Sequence, residues 1–112
     1  MPNYLLLLHG GDWSDVDATE MKEVIAKYVA YSQQLRTEGR YVAGDEVKDQ
    51  ATLIHGFGND STAQRDANIP IHEKVGGYYI FSAKDLEEAI DVADDCPHNL
   101  YGGYMELREI NS

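Results

Sequence analysis

Four histidines, His9, His55, His72 and His98, are the side chains of this 112-residue chain best suited to moving protons near neutral pH. His9 ends an apolar run just before Gly10-Gly11-Asp12. A strand end there would meet a turn, so His9 with Asp12 is a candidate proton-transfer pair or half of a metal site. The plainer reading is a hydrogen-bonded histidine at a strand end. His72 closes a polar segment, residues 59–72, and with Asp66 makes a second candidate pair, because long loops on small rigid domains gather ligand contacts. His55 falls inside a strand pattern and reads as a packing or exposed residue. His98 follows a helix end, where the dipole favours a cationic ring, and that accounts for it. No HxxxH, CxxC or HExxH spacing occurs, so neither metal nor cofactor is expected. The lone Cys96 lies at a helix C-terminus behind Asp94 and Asp95, an environment that disfavours a thiolate. It reads as a packing residue rather than a nucleophile.

Eight tyrosines are the other conspicuous chemistry. Tyr28 and Tyr31 fall on one helix pattern, Tyr41 on a strand, and Tyr78 and Tyr79 on opposite faces of another strand. Trp13, Tyr28, Tyr41 and Tyr79 are the candidate ligand contacts of an aromatic-lined cavity between sheet and helix, where phenol groups would orient a small planar or apolar molecule. Half-buried strand faces and a subunit interface would use tyrosines equally well.

The elements that must position these residues follow from hydrophobic period and breakers. Tyr4 to His9 reads as a buried strand. Asp17, with Glu20 three residues on, starts a helix whose stripe is Met21, Val24, Ile25, Tyr28, Ser32 and Leu35, and Gly39 ends it. Strands are predicted over Arg40–Val47, Thr52–Phe57, Gly77–Phe81 and Tyr104–Ile110. Ser82, partnered by Asp85, is the expected N-cap of a second helix with Leu86, Ala89, Ile90 and Ala93 inward, and Pro97 prevents its continuation. Residues 59–72 read as irregular loop. The resulting order, β-α-β-β-β-α-β, is a single α+β domain over residues 1–112. It is a ferredoxin-like sandwich with one extra strand, its two helices on one face of a mostly antiparallel sheet. The bare sheet face favours a homodimer.

Nine Lys+Arg against twenty Asp+Glu give a net charge of -11. Such a field repels phosphate backbones and anionic lipid heads, so neither nucleic acid nor membrane is an expected partner. The apolar run at the start is too short to span a bilayer and lacks a basic flank. One cysteine suits a reducing compartment, and a cytoplasmic location is expected.

Several motifs in order resemble the YCII-related family, specifically its DGPF-type branch. They are Tyr4-Leu-Leu-Leu, Leu35-Arg-Thr-Glu-Gly39, Val42-Ala-Gly44, Gly76-Gly-Tyr-Tyr79, Asp85-Leu-Glu-Glu-Ala89 and Cys96-Pro97. The resemblance implies a dimeric α+β barrel, two ferredoxin-like sheets face to face. Many relatives carry a proposed catalytic pair, a His on the first helix and an Asp before the proline after the second. Here Tyr28 and Cys96 take those positions, and the naming loop, Arg65-Asp-Ala-Asn-Ile-Pro70, keeps only Asp66 of its motif. Three functions remain in view. One is binding of a small aromatic or apolar-acid ligand in a tyrosine-lined pocket. A second is a cofactor-free lyase, isomerase or monooxygenase with a histidine general base, His9 or His72, oriented by Asp12 or Asp66. The third is a protein partner linked to transcription regulation, as DGPF-type proteins are often linked with sigma factors.

Overall fold

Alternation along the first strand decides where the core lies. In a computed structural model, which describes residues 1–111, β1 (Asn3–His9) buries Tyr4, Leu6 and Leu8 and leaves Leu5 and Leu7 half-covered on the other face. β5 (Val75–Ser82) repeats the pattern with Gly77, Tyr79 and Phe81 inward. These two strands pair antiparallel at the centre of a four-stranded sheet of order β2-β5-β1-β6, with β2 (Tyr41–Glu46) and β6 (Tyr104–Glu109) at the edges. All three pairings are antiparallel. Two helices, α1 (Ala18–Thr37) and α2 (Leu86–Asp94), pack on the face that carries Tyr4, Leu6, Tyr79 and Phe81. This is the ferredoxin-like α+β arrangement the chain's periodicity predicts.

The first helix begins as expected: the Asp17 carboxylate accepts the Glu20 N–H at 2.8 Å. It ends on Gly39, whose φ of 72° lets the Arg40 N–H return to the Leu35 carbonyl at 2.9 Å. Its inward face is turned relative to the predicted stripe. Val24, Tyr31 and Leu35 are buried, whereas Ile25 is 55 % exposed. Tyr31 prevails because both of its ends are satisfied. Its ring meets Tyr79 edge-on at 5.2 Å, and its hydroxyl donates to the Val92 carbonyl of α2 at 2.8 Å.

Three local expectations are corrected. The cap of α2 is Asp85, which accepts the Glu88 N–H at 2.9 Å, while Ser82 stays in β5 opposite Asn3. The strand expected over Thr52–Phe57 shortens to β3 (Leu53–His55) and lies outside the main sheet. It pairs with β4 (Thr62–Gln64), inside the stretch read as loop, because a polar three-residue strand carries no apolar period to reveal it. The remaining strands shift by a residue or two at their ends.

Candidate functional site

The two halves of α1 treat the sheet differently, and the site lies in that difference. Towards the C-terminal end, Tyr31 and Leu35 close onto the sheet. Over the N-terminal half the helix faces a cavity of about 510 Å³, bounded by β2, β5 and the end of β1. Its walls are mostly apolar: Leu8, Met21, Val24, Ile25 and Val29 line it together with Trp13, Tyr28 and Tyr79. Glycines make the room. At Gly44 a methyl would come within 2.8 Å of the Tyr79 ring, so only a residue without Cβ lets that ring lie against β2. Gly10 and Gly11, at φ 69° and 92°, turn the chain after β1. Trp13 then packs on Tyr101 at 4.9 Å between ring centres, and Tyr101 on Tyr28 at 6.5 Å.

Polar atoms on this wall are committed to one another. His98 is 3 % exposed, and its Nε2 lies 2.7 Å from the His9 carbonyl oxygen. A carbonyl only accepts, so Nε2 carries the hydrogen. In the neutral ring that leaves Nδ1 as acceptor, and the Tyr28 hydroxyl donates to it at 3.0 Å. Burial holds the Tyr28 phenol well above the usual tyrosine range, and Cys96, Tyr79 and Tyr101 nearby add to the shift. Ser32 Oγ donates to the Tyr79 oxygen at 3.2 Å. Burial raises Tyr79 too, against the opposing hydrogen bond from Ser32. Gly103 completes the clamp, since a side chain there would overlap both the His98 ring and the His9 carbonyl oxygen.

Of the residues predicted to bind ligand, Trp13, Tyr28 and Tyr79 line this cavity. Tyr41 lies beside it, under the Arg36 guanidinium at 4.1 Å. The four candidate catalytic residues are dispersed. His9 points from the opposite sheet face, stacked on Tyr104 at 4.7 Å with Nε2 2.9 Å from Glu106. Only its backbone reaches the cavity wall. Asp12 accepts the Ser14 N–H at 3.0 Å; hydrogen bonding from the Ser14 side chain first, and then from its backbone, lowers the Asp12 pKa, and His9 is not its partner. His72 is an exposed side chain 3.9 Å from Glu73, and Asp66 is an exposed turn residue with φ 49°. The histidine that does reach the cavity is His98. Its signal in the sequence is the close succession Cys96-Pro97-His98, since a proline-started turn brings the ring back under β1. Among the described residues no three His, Cys, Asp or Glu groups converge to hold a metal ion.

A family model for the YCII-related domain matches residues 4–111. The chain belongs to the YCII-related family. No curated protein matches it. This YCII-related domain places Tyr28 and Cys96 close enough that Cys96 contributes to raising Tyr28. Burial pushes the Cys96 thiol up to about 11, with a smaller opposing effect from the His98 backbone N–H. Neutral thiol and neutral phenol are thus what this corner holds near pH 7. No helix among the described residues is long and apolar enough to cross a membrane.

Proposed function

We propose that this DGPF-type YCII-related protein binds a small aromatic or apolar-acid ligand in the cavity between α1 and the sheet. The observation that supports the reading is the cavity itself. It offers about 510 Å³ of mostly apolar space, with Tyr28, Ser32, Tyr79 and His98 among its polar contacts and Gln33, Arg36 and Glu46 also on its lining, the usual make-up of a small-molecule site. The function is tested by a thermal-shift screen of small aromatic alcohols, acids and lactones, repeated on Met21→Trp, which fills the cavity from α1. Ligands that raise the melting temperature of the native chain and leave Met21→Trp unmoved support the reading. Absence of a shift from every compound sinks it.

One observation favours a second reading, a cofactor-free lyase, isomerase or monooxygenase with a histidine base. A Tyr28–His98 hydrogen bond at the cavity wall is a route by which a substrate proton would pass through the phenol to Nδ1. His98 would then hold the role that the sequence suggests for His9 or His72. Whichever reading holds, the open sheet face, with Leu5, Leu7, Tyr78 and Ile80 in register, supports a homodimer built as a dimeric α+β barrel.

A further inference from the structure

The direction of each hydrogen bond on the cavity wall restricts what a ligand must offer. This step rests on the cavity being a binding site. With the His98 ring neutral, its Nε2–H is used by the His9 carbonyl and the Tyr28 hydrogen by His98 Nδ1. The Tyr28 oxygen therefore has lone pairs to spare and no hydrogen. On Tyr79 the situation is reversed: its oxygen accepts from Ser32 Oγ, so its own hydrogen is the one left over. The wall thus presents one acceptor and one donor, both on neutral phenols.

The charges nearby are equally directional. The Asp45 carboxylate lies on the sheet face away from the cavity, where it accepts from the Tyr78 hydroxyl at 3.4 Å. Glu46 lines the cavity, and among the described residues it is in no ion pair. Arg36 also lines it, but its guanidinium lies over the Tyr41 ring. A ligand carboxylate would meet the Glu46 carboxylate, one guanidinium held by a ring, and an acceptor at Tyr28 with no hydrogen to give. Burying a charge without a partner is costly, and leaving a buried acceptor unsatisfied costs more than the net worth of the bond it lacks.

We infer that the site selects a neutral, mostly apolar molecule that places a hydroxyl or N–H hydrogen on the Tyr28 oxygen and accepts a hydrogen from Tyr79. Of the two classes proposed above, this favours the aromatic alcohol or amide over the apolar acid.

Three probes of one shape separate the possibilities: 2-naphthol, 2-methoxynaphthalene and 2-naphthoate, titrated calorimetrically into the native protein near neutral pH. The naphthol should bind about tenfold tighter than its methyl ether, the difference one neutral hydrogen bond makes. The naphthoate should be weakest. Tyr28→Phe should erase the gap between naphthol and ether while leaving ether affinity within a few-fold. A naphthoate or ether that binds as tightly as naphthol, or a gap that survives Tyr28→Phe, overturns the inference and leaves the pocket standing. Failure of all three probes to bind overturns both. Nitrogen-15 shifts of the His98 ring in the unmodified protein give a check that needs no variant. They should show hydrogen on Nε2 and a bare Nδ1, and the opposite tautomer refutes the assignment of donor and acceptor.

Discussion

Tyr28, Tyr31, Tyr79 and Cys96 form a corner in which burial suppresses ionisation, and two consequences can be measured. The Cys96 thiol is raised from 9.0 to about 11, so both folded and unfolded chains hold its proton below pH 9. Between pH 9 and about 11 the unfolded chain releases that proton while the folded chain keeps it, so stability falls as pH rises through this window. Urea midpoints measured from pH 9 to 11 should decline less steeply in Cys96→Ala than in the native chain; equal slopes would show that Cys96 plays no part. The thiol should also resist a disulfide reagent until urea unfolds the protein. Tyr31→Phe removes a bond from a residue 3 % exposed and should cost about 1 kcal/mol by urea denaturation, the net worth of one such hydrogen bond. At this scale the sequence was a partial guide. The aromatic count pointed to Trp13, Tyr28 and Tyr79 because ring size and wall position go together. The proton-bearing partners were obscured, because His98 meets the His9 carbonyl across 89 positions of chain that no local pattern encodes.

Elements are legible where one physical rule governs them and obscure where two compete. Asp17 and Gly39 follow from capping alone and β1 from its apolar run, and they stand where expected; which leucines of β1 face the core is set by the sheet, since Leu5–Leu8 carry no period of their own. The stripe of α1 misled at Ile25 because apolar character suits the core and a cavity wall alike, and only tertiary contact separates them. Ser82 and Asp85 are both good caps; β5 claims Ser82 for its ladder with Asn3, which leaves Asp85 for α2. The junction of the Pro97–Tyr101 turn with β6 is the most constrained of these joints. Gly103 lies where any side chain would overlap the His98 ring and the end of β1. Gly103→Ala should lower stability by about 1–3 kcal/mol, as overpacking does, and should also disturb the Tyr28–His98 bond. Urea denaturation together with the His98 ring shifts checks both; an unchanged midpoint with unchanged shifts would mean that the clamp yields without cost.

Taken as a whole the molecule is a slab. Its extents are 45 × 41 × 18 Å, and its radius of gyration is 15.9 Å. A compact chain of this length would have a radius of about 13 Å. Helices cover one broad face of the sheet. On the other, β1 and β5 set Leu5 against Ile80 and Leu7 against Tyr78, all half-exposed, with Glu106 opposite Leu7 on β6. A second copy laid on that face would give each sheet a second layer, and this is the homodimer proposed above. The net charge of -11 per chain opposes such pairing at long range and is screened by salt, so apolar contact must supply the attraction and added salt should strengthen it. Sedimentation equilibrium should therefore give twice 12.5 kDa for the native protein, with tighter association as sodium chloride is raised. Leu7→Glu puts a carboxylate beside Glu106 in the middle of the apolar strip and should leave a folded monomer. Leu86→Ser, on the exposed side of α2 at 52 % exposure, should change nothing and serves as the control. A Leu7→Glu protein that stays dimeric, or association that weakens with salt, would place the contact elsewhere on the slab.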